Sequence, residues 1–171
     1  IQVARALQGD DFNLSVLGTV QEEGGLRGAE VTRNSTDLDL MIVMEGSPAD
    51  DTPGQLTSSS QGILGRGVQI RCYDPTHITN PRLAQWSCKI ADSFNIPYQV
   101  AVRRTGGTNA GKYHLGAQGI PTIVLAPPVR YIHSHLSIVE INDLIATREL
   151  AIAMIRSLDD QTYRELLPSL G

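Results

Sequence analysis

The sequence predicts an α/β protein in which a β-sheet lies between two layers of helices, a three-layer αβα sandwich. Segments with strand character alternate along the chain with segments of helical periodicity. Several of the strand segments are short and apolar throughout, which is typical of strands buried on both faces. The 171 residues show no internal repeat and no interior linker. Because a domain has about 150 residues, we predict a single α/β domain over residues 1–171.

In the first third of the chain, apolar runs alternate with polar turns that contain glycine. Ile1 to Leu7 (IQVARAL) has the pattern of the end of a helix, and Leu14 to Val20 (LSVLGTV) that of a buried strand. A helix is predicted from Gly25 to Asn34 and a second strand from Leu38 to Met44. The next stretch, Gly46 to Gly67, is rich in Ser, Gly, Pro and Asp, which predicts a loop.

The middle of the chain is predicted to form a strand, a helix and another strand. Val68 to Tyr73 (VQIRCY) alternates apolar and polar residues, which predicts a strand at a sheet edge or with one exposed face. A helix runs from Pro81, which suits a first helical turn, to about Asn95. Tyr98 to Arg103 forms the next strand. One face of the helix carries an apolar stripe of Leu83, Trp86, Ile90 and Phe94.

The last third is predicted to hold one buried strand and a long helix. Ala110 to Leu115 is predicted as a short helix and Thr122 to Leu125 as a buried strand. From Ile138 to about Leu158 the apolar residues recur at helical spacing. The residues of this helix that we expect to face the core are Ile141, Leu144, Ile145, Ile152 and Ile155.

The composition excludes several classes of protein. Lys plus Arg number 14 and Asp plus Glu 18, a net charge of −4 that argues against nucleic acid as a partner. The longest apolar run, Ile123 to Val129, is far shorter than the roughly 20 residues of a membrane helix. Cys72 and Cys88 form neither a disulfide framework nor a metal knuckle, so we expect a reducing compartment, the cytoplasm.

The chain begins in the middle of an apolar helical pattern. Ile1 is not an initiator Met, no N-cap residue precedes the IQVARAL segment, and nothing there resembles a signal peptide. We therefore expect these residues to be the later part of a longer polypeptide.

Three carboxylates and a histidine follow predicted strands, where α/β sheets bind their ligands. Glu22 and Glu23 come after the first strand, Glu45 after the second, and His133 after the strand that ends at Leu125. Such oxygen and nitrogen donors suit Zn²⁺, Co²⁺ or Mn²⁺. Of two adjacent glutamates, one could bind a metal while the other acts as general base on a water. Spacing alone also allows a solvated acidic pair and a hydrogen-bonded loop histidine.

Four segments carry a resemblance to a known family. They are TVQEEGGLRGA (Thr19 to Ala29), EGSPADDTPG (Glu45 to Gly54), GGTNAGKYHLGAQGIPT (Gly106 to Thr122) and RYIHSH (Arg130 to His135). Together they resemble the M42 metallo-aminopeptidases, the glutamyl or deblocking aminopeptidases, whose members are sometimes labelled endoglucanases. The resemblance implies a mixed sheet of the phosphorylase/hydrolase-like, zinc-peptidase type. It also implies two divalent metal ions, Zn or Co, that serve to hydrolyse N-terminal residues from peptides.

The resemblance assigns a role to each candidate residue. Glu22 is similar to the family's general base, Glu23 and His133 to ligands of one metal, and Glu45 to an acidic ligand of the second. Asn109 stands where an Asp is common in the family. For substrate binding we single out Gly107, Thr108, Asn109 and Arg130. The glycine-rich loop could instead shape only a tight turn, and Arg130 could form a structural salt bridge.

The resemblance also implies that part of the site lies upstream of this chain. A first metal-binding His, an Asp that bridges both metals, and a smaller β-rich domain used in oligomer assembly precede these residues in the family. We therefore expect the complete protein to be an active homo-oligomer and the 171-residue chain alone to be inactive. Two alternatives remain open: a glycoside hydrolase of endoglucanase type, and a non-catalytic remnant.

The other polar residues of these segments are expected to have structural roles. His77 lies in a turn (DPTHITNP) and is predicted to be exposed, whereas His114 is predicted to pack beside the glycine-rich loop. Turn formation accounts for Asp50 and Asp51, which could otherwise compete with Glu45 for a metal.

Overall fold

The computed structural model describes residues 1–35, 37–54, 60–116 and 119–166. Residues 55–59 of the predicted loop lie outside these ranges. The helices are α1 Gln2–Ala6, α2 Arg27–Thr32, α3 Pro81–Ser93, α4 Ala110–Tyr113, α5 Ile141–Ser157 and α6 Asp160–Leu166. The strands are β1 Met41–Met44, β2 Ser47–Pro48, β3 Val68–Asp74, β4 His77–Ile78, β5 Tyr98–Val102, β6 Thr122–Ala126, β7 Pro128–Arg130 and β8 Ile138–Val139.

The main sheet contains five strands of both orientations. Its order is β1-β6-β3-β4, and β5 also pairs with β3. β1 is parallel to β6 and β3 is parallel to β5, whereas β3 is antiparallel to β6 and to β4. The prediction of a mixed sheet is confirmed.

Helices cover both faces of this sheet. α3 and α5 pack against β3 and against each other, while α4 packs against β1 and β6 on the other face. Side chains alternate along β6: Ile123 and Leu125 belong to the larger core with α3 and α5, whereas Val124 packs with Val43 and Ala110. The predicted αβα sandwich is therefore confirmed. Within the described ranges, no helix combines the length and the hydropathy needed to cross a membrane.

A second, three-stranded sheet continues the β1–β6 pair beyond a bend. β2 is parallel to β7, and β7 is antiparallel to β8. Met44 pairs with Leu125 before the bend and Ser47 pairs with Pro128 after it, so the register is unbroken. Gly46 lies in the bend, where an added Cβ would be 3.1 Å from Val129 Cγ2. Glu45 and Gly46 therefore join the two sheets.

β3 is the central strand, and the prediction that it lies at an edge or has an exposed face was wrong. It pairs with β6 on one edge and β5 on the other, and Val68 to Arg71 are buried. Its polar residues are buried because they bond to Ser47. The Ser47 hydroxyl donates to Gln69 Oε1 at 3.0 Å and accepts from Arg71 Nη2 at 2.9 Å. The polar alternation reflects an internal hydrogen-bond network rather than contact with solvent.

The predicted strand over Leu14 to Val20 is not formed. These residues have no regular secondary structure, and Val16 and Val20 are 61% and 68% exposed. A strand needs a neighbouring backbone to pair with, and no described strand pairs with this segment. Its end is nevertheless fixed, because the Asn109 amide donates to Thr19 Oγ1 at 2.9 Å.

The predicted core face of the last helix was wrong in its first half, whereas Ile152 is buried as predicted and Ile155 is partly buried. Its start at Ile138 is strand β8, and α5 begins at Ile141, which is 62% exposed. Leu144 and Ile145 are exposed as well. The helix instead buries mostly smaller side chains, which allow it to approach α3 and β3 closely; its buried residues are Asp143, Ala146, Thr147, Leu150, Ala151, Ile152, Ala153 and Met154.

α3 follows the sequence pattern more closely. Asn80 caps it by accepting from the Arg82 and Leu83 amides at 2.8 and 3.4 Å, and Pro81 occupies the first helical position. The predicted apolar stripe packs on the core except at Phe94, the C-cap residue, which is 57% exposed.

A buried carboxylate fixes the loop that leads into β3. Asp143 accepts from the amides of Gly65 at 2.8 Å and Gly67 at 2.7 Å. Gly67 has φ +89°, and a Cβ at this position would lie 1.9 Å from the Pro97 carbonyl oxygen. Only glycine fits where the start of β3 meets the residue before β5.

His77 is buried, contrary to the prediction that it is exposed. It is 3% exposed, and its ring packs edge-on against His114 with centroids 5.1 Å apart. Its Nδ1 has no hydrogen-bond partner among the described residues. Burial, followed by the charge of His114, lowers the pKa of His77 to about 4. His77 is therefore a neutral interior residue at neutral pH.

We predict that Gly67→Ala destabilises the fold much more than Gly65→Ala. Both glycines have positive φ, but Gly65 has nothing within 4 Å of the added Cβ, whereas Gly67 meets backbone. We expect a loss of about 1 kcal/mol for Gly65→Ala and at least about 3 kcal/mol for Gly67→Ala, measured by urea unfolding. Equal losses would show that the close approach to Pro97 does not constrain the fold.

We predict that His77 makes the protein sensitive to acid. Between its unfolded pKa of 6.5 and its folded pKa of about 4, the unfolded chain binds the additional proton. The free energy of unfolding therefore falls as the pH is lowered through this range. We expect His77→Gln to flatten this dependence in urea unfolding at pH 7.5, 6 and 5, whereas His135→Gln, at an exposed position, leaves it unchanged. An unaltered slope in His77→Gln would contradict the assignment.

Candidate functional site

The acidic pair lies in a tight turn between the Leu14–Val20 segment and α2. The amides of Gly25 and Leu26 donate to the Glu22 carbonyl at 3.1 and 2.9 Å. Gln21 and Leu26 adopt left-handed conformations, with φ 56° and 59°. Left-handed backbone at residues other than glycine is costly and is concentrated at functional sites. The turn thus fixes the backbone on both sides of Glu22 and Glu23.

Glu23 and His133 are in direct contact, although 110 positions separate them in the sequence. Glu23 Oε1 lies 3.3 Å from His133 Nε2, and both side chains are largely exposed. His133 follows β7 and is itself left-handed, with φ 62°, as is Tyr131 two residues earlier, with φ 57°. Strand β7 and the left-handed turn that follows it therefore present His133 to the acidic pair.

Glu22 belongs to the same cluster. Partial burial raises its pKa, the Glu23 charge raises it further, and His133 opposes both. A raised pKa makes a carboxylate a better proton acceptor. Glu22 is thus the half-buried member of the pair and Glu23 the exposed one.

Glu45 extends the cluster from the bend between the two sheets. Burial raises its pKa to about 7, the neighbouring Arg71 opposes this rise, and the charges of Glu22, Asp74 and Glu23 add to it. Arg71 Nη1 lies 3.6 Å from Glu45 Oε1. Glu45 therefore lies in the combined negative field of the other carboxylates, with Arg71 as its paired cation.

The donor set fits the ligands of borderline divalent cations only in part. Glu23 and His133 supply an oxygen and a nitrogen at one point, the donor types that Zn²⁺ and Co²⁺ accept. The clustered negative charge of Glu22, Glu23 and Glu45 is the kind that a cation balances. In the residues that the structure describes, however, no three His, Cys, Asp or Glu side chains are arranged to hold one ion. The chain thus supplies a two-donor pair and one separate carboxylate.

The glycine-rich loop packs on the turn between β3 and β4. A Cβ at Gly107 would lie 2.7 Å from Thr76 Cγ2. Thr108 is buried, and its hydroxyl accepts from the Ala110 amide at 3.0 Å. Asn109 donates to Thr19, and its Oδ1 is buried with no partner among the described residues. The loop is thus connected through Thr19 to the segment that carries the acidic pair.

Arg130 is engaged by a neighbouring carboxylate. Its Nε and Nη2 each donate to Asp51 at 2.7 Å, and these bonds lower the pKa of Asp51. Asp50 is paired in the same way with Arg103, at 2.8 and 3.1 Å. The structure thus has the salt bridge that was the alternative for Arg130. A substrate-binding role for Arg130 stays a prediction. It requires the guanidinium to contact both Asp51 and the substrate.

Sequence reasoning missed the buried polar residues beside Glu45. Arg71, in the middle of β3, and Asp74, at its end, are 4% and 1% exposed, and Arg71 lies next to Glu45. The signal that could have identified them is a cation in the middle of a strand that follows an acidic motif. His114, as predicted, packs beside the loop, and its Nδ1 lies 2.8 Å from the Ala110 carbonyl oxygen.

Comparisons with known proteins agree with one another. Residues 1–150 match the M42 glutamyl aminopeptidase family. The chain is 36% identical over 153 residues to the glutamyl aminopeptidase of Lactococcus lactis subsp. cremoris (strain MG1363), an alignment covering 90% of this chain and 42% of that protein. The structure is similar to the crystal structure of a TET aminopeptidase from Thaumarchaeota archaeon SCGC AB-539-E09, with a TM-score of 0.83 and 35% identity over 87% of this chain and 42% of that one.

A third relative is the TET1 peptidase of Pyrococcus horikoshii, which can assemble into a tetrahedron or a large octahedral shell. The TM-score is 0.63 and the identity 29%, over 82% of this chain and 40% of that one. The chain thus spans less than half the length of each of these relatives. With 150 of its 171 residues matched to one family, the chain belongs to the M42 glutamyl aminopeptidase family.

Proposed function

We propose that the protein to which this chain belongs is a metal-dependent aminopeptidase that removes N-terminal residues from peptides at a dinuclear site. The observation that carries the proposal is the contact of Glu23 with His133 at 3.3 Å, beside Glu22. An exposed carboxylate–imidazole pair next to a half-buried carboxylate provides both a metal-binding element and a proton acceptor. Family membership supplies the reaction class.

In this proposal the four residues divide into ligands and a base. Glu23 and His133 would hold one divalent ion, Zn or Co, and Glu45 would bind the second. The ions would lower the pKa of a water and polarise the scissile carbonyl. Glu22 would accept the proton of the attacking water and deliver it to the leaving amine. Its raised pKa suits a group that must take up and release a proton.

The chain contributes only part of this site. Each ion needs about four ligands, and the described residues offer two for one ion and one for the other. We propose that the remaining ligands, a His and a bridging Asp, lie in a portion of the protein outside residues 1–171. On this basis the chain alone would bind metal poorly and hydrolyse little.

The proposal also includes the surroundings of the site. Gly107, Thr108, Asn109 and Arg130 would contact the peptide, with Asn109 placed beside the acidic segment by its bond to Thr19. The complete protein would be a homo-oligomer, as is its relative TET1. The free thiols of Cys72 and Cys88 agree with a reducing compartment, and we propose the cytoplasm.

We predict that Glu22→Gln in the full-length protein lowers kcat by roughly 10²–10⁴ because it removes the proton acceptor. Metal content is expected to stay unchanged, since Glu22 is not a ligand. Glu30→Gln is the matched control, because Glu30 of α2 pairs with Arg33 and with Lys112 of α4. Hydrolysis of aminoacyl p-nitroanilides and elemental analysis provide the readouts. Full activity in Glu22→Gln would contradict the assigned role.

We predict that a chelator abolishes hydrolysis by the full-length protein and that Zn²⁺ or Co²⁺ restores it. The 171-residue chain alone is expected to show no turnover under the same conditions. Peptidase activity that survives metal removal would contradict the proposal, and chelator-resistant cleavage of a glucan would favour the glycoside hydrolase instead.

A further inference from the structure

Arg71 is a buried guanidinium in the central strand of the main sheet. It is 4% exposed and lies within reach of three oxygen atoms. Its Nη1 is 3.2 Å from Asp74 Oδ2 and 3.6 Å from Glu45 Oε1, and its Nη2 donates to Ser47 Oγ at 2.9 Å. Arg71 therefore connects Glu45 in the bend and Ser47 after it to Asp74 at the end of β3.

The partners of Arg71 are themselves fixed. Asp74 Oδ1 accepts from the amide and hydroxyl of Thr76 at 2.8 and 2.6 Å, and Ser47 donates to Gln69. The Arg71 carbonyl accepts from Thr79 Oγ1 at 2.7 Å. These bonds leave the guanidinium little freedom to turn, so its position is set by the β3–β4 turn and by β2.

The contact with Glu45 differs from the other two. At 3.6 Å it is longer than a hydrogen bond, so the guanidinium orients this carboxylate by charge without locking it. Glu45 Oε1 faces Arg71, and no hydrogen bond or ion pair within the described residues engages the second oxygen, which could therefore bind another cation. A buried charge is retained only where its partners compensate for lost hydration, and Asp74 with Ser47 already provides a strong pair. The approach of the same guanidinium to Glu45 therefore points to a role in the site.

We propose that Arg71 is a positioning residue for Glu45, holding that carboxylate in the orientation in which it binds one of the two divalent ions. This inference rests on the proposed function. Groups that hydrogen-bond or pair with a metal-binding carboxylate typically affect metal affinity 10–100-fold when removed. Among the described residues, the Arg71 side chain contacts Glu45, Asp74 and Ser47, whereas Glu23 and His133 pair with each other. Arg71 therefore acts on one ion and not on the other.

The test is a titration of the metal-free, full-length protein with Co²⁺, in which binding is measured by calorimetry and by visible absorption. We expect the wild type to bind two ions. Arg71→Met should bind one ion with unchanged affinity and the other about 10–100-fold more weakly. Arg71→Lys should recover part of the loss, because an ammonium keeps the charge but cannot contact Asp74 and Ser47 together.

Two further variants separate this role from a general effect on folding. Arg103→Met removes a guanidinium paired with Asp50, away from Glu45, and should leave both ions unaffected. Ser47→Ala keeps the charge of Arg71 and removes only its Nη2 anchor, so it serves if Arg71→Met does not fold. We expect Ser47→Ala to weaken the same single ion to a smaller extent.

The outcomes are distinguishable. Unchanged binding of both ions in a folded Arg71→Met or in Ser47→Ala, or equal weakening of both, would overturn the positioning role while leaving the proposed function intact. A wild-type protein that binds no ion would contradict the proposed function itself, and the inference with it.

Discussion

The structure depends on the pairing of β3 along both of its edges. The first four residues of β3, from Val68 to Arg71, are all buried, yet they include Gln69 and Arg71. Each polar group must find a partner inside the protein. Ser47, at the start of β2, bonds to both side chains, and Asp74 pairs with Arg71, whose Nε has no hydrogen-bond partner among the described residues. The bonds that compensate for burying Gln69 and Arg71 therefore also hold the bend that carries Glu45 against the central strand.

The candidate site lies where regular structure stops. Glu22 and Glu23 follow an irregular segment, Glu45 lies between two strands, and His133 lies in a left-handed turn after a third strand. None of these positions has the rigidity of a helix or strand interior. Their arrangement is maintained by short hydrogen bonds in turns and by charge, which explains why a buried cation behind the carboxylates matters to the geometry.

Much of the fold could be predicted from local patterns. The predictions failed where the outcome depends on which elements pack or pair with each other. Pro81 and the Asn80 cap define the start of α3, and the apolar run over β6 defines a buried strand. The face of α5 could not be predicted, because the helix approaches its neighbours through alanines and leaves Ile141 exposed. The Leu14–Val20 segment requires a partner strand, which periodicity does not reveal. In the site, the family's motifs include Glu23 and His133, which the structure places in contact, whereas Arg71 lies in none of these motifs and its approach to Glu45 depends on how two strands are arranged.

Asp50 and Asp51 are neighbours in the chain, yet they pair with arginines from different sheets. Arg103 follows β5 of the main sheet, and Arg130 belongs to β7 of the small one. Two consecutive residues thus tie the end of β5 in the main sheet and β7 in the small sheet to one point of the chain through two ion pairs. Inserting a single residue between these aspartates would shift one carboxylate relative to the other, so that the two ion pairs could not both keep their geometry. The way in which the two sheets are joined is therefore encoded partly in a dipeptide that lies in neither of them.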